Sequence, residues 1–217
     1  MPSPAASQPH PDKVDNGPAP QGKAVADRLR VGATFPPLSL TATDGRRVEV
    51  PSGDTLVHLQ FRRFAGCPIC NLHLHSFVRR HRELGAAGVQ EVVFFHSGRD
   101  ALLRHAADLP FPVVPDPERR FYRAFGVESG ARALADPRAW PALLQTLVTV
   151  AADILVRGRP LPPLRSQGGR LGLPADVLID RTGRILAVKY GGHADDQWTV
   201  DTVLALAGGA DRQGSPA

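Results

Sequence analysis

Apolar and polar positions along this chain switch between a period of two and a period near 3.6, and the switches lay out its elements. The alternating apolar run Leu56-Val57-His58-Leu59-Gln60-Phe61 predicts a buried strand over 55–61. From Asn71 onward the apolar residues Leu72, Phe77, Val78 and Leu84 stand among Arg and His, which predicts a helix over 68–84 with one inward face. The same switch recurs as strand 89–95, helix 99–107, short strand 111–114 and helix 118–125. An irregular and helical stretch follows from Gly126 to Gly172. Then come strand 176–179, the turn Asp180-Arg181-Thr182-Gly183, strand 184–190 and a helix over 196–206. Upstream, Asp44-Gly45 between two short alternating runs marks a hairpin. Strands that alternate with helices predict an α/β fold: a central mixed sheet flanked by helices, with an N-terminal hairpin and an antiparallel edge from the late hairpin.

Composition divides the chain. With 217 residues and 42% hydrophobic content it can bury a sizeable core as one domain, expected over 26–209. Residues 1–25 are expected to be a disordered tail, rich in Pro, Ala, Ser and Gln up to about Gly22. Residues 210–217 are expected to be a flexible C-terminal tail. The stretch at about 131–172 is longer than a usual helix-to-strand connection and reads as a helical insertion. Within it Asp136 and Pro137 predict the start of a helix running to Ile154, ended by the prolines of Arg157 to Pro163. Leu143, Leu144, Leu147, Val148, Val150 and Ile154 give that helix a wide apolar stripe. The stripe is expected to pack on the domain, to cover the reactive site, or to form a homodimer contact.

The N-terminus has no basic start followed by an apolar stretch, so no secretory signal peptide is expected. The longest apolar segment, Ala142 to Val156, contains Gln145 and Asp153 and is too short to span a bilayer. The chain is therefore expected to be soluble and cytoplasmic, with no membrane partner. Its net charge of +5 comes from 23 Arg and three Lys scattered along the sequence. Nucleic acid is not an expected partner, because no basic stripe is interleaved with aromatics.

Candidate chemistry is concentrated in Cys67-Pro68-Ile69-Cys70, the two cysteines of the chain, at a strand-to-helix turn. Pro68 suits the first helical position and puts Cys67 at the N-cap, where unpaired backbone N–H groups and the helix dipole stabilise a thiolate. Cys67 is the expected nucleophile. Cys70, one turn on, is placed to attack a Cys67 adduct and close a reversible Cys67–Cys70 disulfide. In a reducing compartment a lone CxxC points to a working redox pair rather than a staple. Two plainer readings are buried cysteines that serve as small hydrophobes and half of a zinc site. No second ligand pair follows at zinc-finger spacing, and His73 and His75 alternate across a helix, so no metal is expected. Nor is a Gly-rich phosphate loop visible, so no cofactor is expected.

The order of these features resembles the thioredoxin fold. Gly32-x-x-x-Pro36-x-x-x-Leu40 with Asp44-Gly45, the strand-turn Cys67, and Leu178-Ile179-Asp180-Arg181-Thr182-Gly183-Arg184-Ile185 carry the likeness, over about Val31 to Ala207. More narrowly they resemble the alkyl hydroperoxide reductase/thiol-specific antioxidant family. Phe61-Arg62-Arg63-Phe64-Ala65-Gly66-Cys67-Pro68-Ile69-Cys70 is similar to its peroxiredoxin-like subgroup, with a Gly-Cys-Pro-x-Cys turn. The chain departs from the usual Pro-x-x-x-Thr/Ser-x-x-Cys of peroxiredoxins, because Gln60 stands at the proline position and Phe64 at the hydroxyl position. It departs also from the Trp-Cys-Gly-Pro-Cys of thioredoxins, since Gly66 precedes Cys67.

The resemblance implies a thiol-dependent peroxidase that reduces hydroperoxides, with a thioredoxin-type or low-molecular-weight thiol as reductant. The alternatives are a thiol–disulfide oxidoreductase acting on protein disulfides and a redox-sensing binding module. Arg62 and Arg63 end the strand before Cys67, and alternation directs one of them toward the thiolate. His96 and Ser97 end the next strand on the same rim, where His96 reads either as a general base or as a solvated loop histidine. His193 after Gly191-Gly192 reads similarly. Leu173-Pro174-Ala175 stands where the thioredoxin fold carries a cis-proline beside its cysteines, so Pro174 is expected to be cis and near Cys67.

Overall fold

The computed structural model describes Asn16, Ala19 and residues 28–127 and 172–214. The expected helix Pro137–Ile154, most of the insertion and most of the N-terminal tail lie outside these residues. The described elements are β1 (Leu38–Thr41), β2 (Arg47–Val50), β3 (Leu56–Arg62), α1 (Pro68–Arg79), α2 (His81–Ala86), β4 (Val89–Phe95), α3 (Arg99–Ala106), β5 (Val113–Pro115), α4 (Arg120–Ala124), β6 (Ala175–Ile179), β7 (Ile185–Tyr190) and α5 (Val200–Gly214). Five strands form one mixed sheet in the order β5-β4-β3-β6-β7, and β1 and β2 form a separate hairpin. β3 runs parallel to β4 and antiparallel to β6. The α/β class and the antiparallel edge follow the sequence pattern.

β3 is the centre of the sheet, and all seven of its residues are buried. Alternation sends Val57, Leu59 and Phe61 to one face, where Phe94, Phe121 and Phe125 pack with the hairpin residues Leu40 and Val48. Phe61 stacks on Phe94 at 4.8 Å, and its truncation to Ala would cost about 3–5 kcal/mol. The opposite face meets α1, α3 and α5 through Leu74, Phe77, Leu102, Val203 and their neighbours. β3 and β4 are parallel neighbours, with Arg62 paired to Phe95, so their C-terminal ends emerge side by side. That shared rim carries Arg63 to Cys67 from one strand and His96-Ser97 from the other.

Several boundaries differ from the expected pattern, most of all in the helices α1 and α5. The helix expected over 68–84 breaks at Arg80, whose φ of −110° leaves the helical region. The Arg80 guanidinium there bonds Glu83 and, 121 residues downstream, Asp201 on α5. The last helix begins at Val200 rather than 196, because Asp196 is taken by the Gly192 N–H and by Lys189 Nζ. Thr199 caps it instead, its hydroxyl accepting from Thr202 N–H at 3.2 Å. The helix continues to Gly214, into the segment expected to be a tail. Asn16, within the stretch expected to be disordered, is buried, donating to Pro115 O and accepting from Thr41 N–H. Its amide thereby satisfies backbone groups at the edges of β1 and β5. Among the described residues no helix is long and apolar enough to cross a membrane.

Candidate active site

The loop from β3 to α1 is a tight turn. Cys67 N–H bonds back to Phe64 O at 3.0 Å, and Gly66 between them has φ +74°, the geometry of a type II turn. A side chain at 66 would be strained and would stand 3.3 Å from His105 Nδ1 on α3, so glycine fits both the dihedral and the space. Cys67 then serves as the N-cap of α1 in an extended conformation, with Pro68 in the first turn, as the spacing predicts.

Both cysteines are free thiols, and each is about 1% exposed. Their acidities are split. The Cys70 thiol donates to Cys67 and lowers its pKa more than burial raises it; Arg63 and the N–H groups of Cys70 and Ile69 add to the effect, leaving Cys67 at about 7. Burial first, and then the Cys67 charge, pushes Cys70 well above its ordinary value. The pair therefore has one thiol ionised near neutrality and one that holds its proton.

Of the two arginines, Arg63 reaches the sulfur: its Nη1 lies 3.6 Å from Cys67 Sγ. Arg62 turns the other way, is fully buried, and joins a polar layer on the α1 face of the sheet. Its Nη2 donates to Asp176 Oδ1 at 2.7 Å and to Gln60 Oε1 at 2.6 Å. His58 bridges Glu91 at 2.8 Å and Asp176 at 3.1 Å, and Gln60 donates to Glu91. Burial works against an imidazolium here, but the two carboxylates outweigh it and raise the His58 pKa to about 9. Burial raises the Asp176 pKa, but Arg62 and then His58 outweigh it and hold the carboxylate well below its usual range.

His96 is not a solvated loop residue. It is 0% exposed, with its ring edge-on to Tyr122 at 5.6 Å and 6.4 Å from the Phe64 ring. Gly172 approaches it so closely that a Cβ there would meet His96 Nε2 at 2.9 Å. Tyr122 ties the rim together: its hydroxyl donates to Arg62 O and to Phe94 O, the ends of β3 and β4. Burial keeps that phenol protonated by raising its pKa well above the ordinary value. Tyr122 and Gly172 carry no local signature, because each acts on strands distant in sequence. His193 stands apart, half-buried, with its Nδ1 accepting from Asp195 N–H.

Residues 74–193, more than half of the chain, match the sequence profile of a family described as AhpC/TSA antioxidant enzyme. The chain belongs to the AhpC/TSA family. The matched span begins on α1 just after Cys70, so both cysteines precede it. No curated protein matches the chain in sequence. Among solved structures, peroxidoxin BcpB from Mycobacterium tuberculosis is similar with a TM-score of 0.59 and 16% identity, over 87% of this chain and 100% of that one. The 2-Cys peroxiredoxin of Plasmodium vivax gives 0.58 and 12%, over 84% and 82%. A structure described as a thiol:disulfide interchange protein, DsbE, from Chlorobium tepidum gives 0.52 and 19%, over 82% and 99%. At these identities the neighbours establish the thioredoxin fold.

Within that family frame, two positions depart from expectation. Phe64, at the hydroxyl position of the peroxiredoxin motif, is buried, with the Arg63 guanidinium 5.5 Å from its ring. Pro174 lies on the same rim as Cys67, one residue beyond the Phe61–Ala175 pair. Its peptide bond is trans, however; among the described residues the cis bond is Val50–Pro51. Pro174 packs instead on Gly191, whose N–H bonds Pro174 O at 2.9 Å, so the β7 end fills the space beside it.

Proposed function

We propose that the protein is a thiol-dependent peroxidase in which Cys67 reduces a hydroperoxide. The observation that carries this reading is the acidic Cys67 thiol at the N-cap of α1, with Arg63 Nη1 3.6 Å away and Cys70 donating to it. The thiolate sulfur attacks the terminal peroxide oxygen, an S–O bond forms and the O–O bond breaks. The departing alkoxide takes a proton and leaves as an alcohol, and sulfur is oxidised to a sulfenic acid. The Cys70 sulfur then attacks Cys67, an S–S bond forms, and the sulfenic oxygen leaves as water with the Cys70 proton. An external dithiol, thioredoxin-type, or two equivalents of a small thiol reduces the disulfide by exchange. Arg63 keeps the sulfur anionic before attack and stabilises negative charge on the peroxide during it.

Exchange with protein disulfides is the second reading. The acidity split across the CxxC pair and the absence of a hydroxyl at Phe64 both suit it. Burial of Cys67 favours the first reading, since a small hydroperoxide needs less opening of the site than a folded protein bearing a disulfide. Stopped-flow oxidation of the reduced protein by hydrogen peroxide, an organic hydroperoxide and a model disulfide separates the two. A peroxide rate at least about tenfold above that of a free thiol of equal pKa supports the peroxidase; a fast disulfide reaction without it replaces it.

A further inference from the structure

We propose that Ser97 is a positioning residue that holds Cys67 in register with Arg63 by accepting the Ala65 amide. The inference rests on Cys67 being the reactive thiol of the preceding section. Three bonds hold the segment before Cys67, one from Tyr122 on α4 and two from the residues after β4. Tyr122 hydroxyl holds Arg62 O, His96 N–H holds Arg63 O at 3.1 Å, and Ser97 Oγ accepts from Ala65 N–H at 2.9 Å. The first two fix the strand before the turn. Only the Ser97 bond reaches into the turn Phe64–Cys67, at the residue that follows Phe64.

Ser97 and Ala65 are 2% and 3% exposed, so water does not replace the bond if the hydroxyl is removed. The amide is then dry and unpaired unless the turn shifts. Movement on the α3 side is limited by His105, which lies against Gly66. A shift of Ala65 and Gly66 therefore carries Cys67 with it. The 3.6 Å contact from Arg63 and the hydrogen bond from Cys70 both end on that sulfur. Among the described residues the Ser97 O–H donates to none, so its role in the fold is as acceptor for the turn.

The test uses the full reduced chain and two probes that need no physiological substrate: the ultraviolet absorbance of the thiolate against pH, and the rate of iodoacetamide alkylation with the labelled cysteine identified. Ser97→Ala should raise the Cys67 pKa by about half to one unit and slow alkylation at pH 7 roughly two- to fivefold. Ser97→Thr, which restores the acceptor, should recover both. Ala65→Pro removes the donor at a turn position that accommodates proline. It should give the same shift, and the double variant should add nothing further. If Ser97→Ala does not fold, Ala65→Pro carries the same readout alone. An unchanged Cys67 titration in a folded variant, or additive shifts in the double variant, overturns the proposal. Labelling that falls first on Cys70 in the wild type refutes the parent reading instead, so the two failures are distinct.

Discussion

Arg62 and Arg63 are adjacent, identical in type and both buried, yet they belong to different systems. Arg62 lies under α1 in a layer where Glu91 and Asp176 balance its charge and that of His58. Arg63 lies at the rim with a sulfur within reach. The layer beneath the helix has its charges matched inside the sheet and takes no part in the proposed chemistry. At the rim the guanidinium faces a thiol whose charge comes and goes near neutral pH. The end of β3 separates the two: Arg62 is its last residue, on the α1 face, and Arg63 opens the segment that leads to Cys67. Burial and charge type do not distinguish the two arginines; what does is that the rim arginine faces a titratable thiol.

The largest effect that sharpens this comparison is at the sulfur. Cys67→Ser should reduce peroxide turnover by at least about a thousandfold, to background, by loss of the nucleophile. Cys70→Ser should retain a single oxidation of Cys67, read as a sulfenic acid by mass spectrometry, without disulfide closure. A Cys67→Ser variant that still turns over removes the rim from the chemistry. Next, Arg62→Met leaves Asp176 and Glu91 with too few cations and should cost about 3–5 kcal/mol in denaturant unfolding. The Cys67 titration of the folded fraction should stay near 7. Arg63→Met should do the reverse: Cys67 rises by about one pKa unit, alkylation at pH 7 slows roughly fivefold, and stability falls less than in Arg62→Met. An exchange of these two phenotypes would break the division between the arginines.

The smallest effect concerns pH. His58 is raised from 6.5 to about 9 on folding, so its stabilisation is complete below about 6.5 and is lost as pH rises through 9. Cys67 is lowered from 9.0 to about 7, so its contribution is complete above 9 and is lost as pH falls through 7. The two slopes oppose each other between pH 7 and 9. Cys67→Ser leaves the His58 slope alone, so its unfolding free energy should fall over that window by less than about 1.4 kcal/mol per pH unit, more steeply than in the wild type. A flat profile in Cys67→Ser over that window would show that the charged layer does not titrate there, and equal slopes in the two proteins would show that folding does not shift Cys67.

Most of the sheet was legible in the chain because its signals are local. β4 spans the expected 89–95, and Cys67 caps α1 with Pro68 behind it, since an apolar run and an N-cap proline need no distant partner. What failed to read out depends on contacts made far along the chain. Arg62 looked as reactive as Arg63 because its partner Asp176 is 114 residues away. His96 looked solvated because the Tyr122 and Phe64 rings that enclose it follow from the fold. The helix break at Arg80 depends on Asp201 in the same way. For Pro174 the position on the rim was readable, but the isomer was not, because a proline before a strand fits either bond.

The alternation of β3 has an evolutionary consequence. Substitutions along the strand alter one contact at a time, whereas deletion of a single residue between 56 and 61 would invert every side chain upstream of the deletion or displace the pair at its end. A deletion after His58 would turn it into the phenylalanine cluster in the first case, and Arg62 and Arg63 would be displaced relative to the sulfur in the second. Lineages that carry this arrangement should accumulate replacements in the strand while keeping its length, and length variation should be confined to the loops on the far rim.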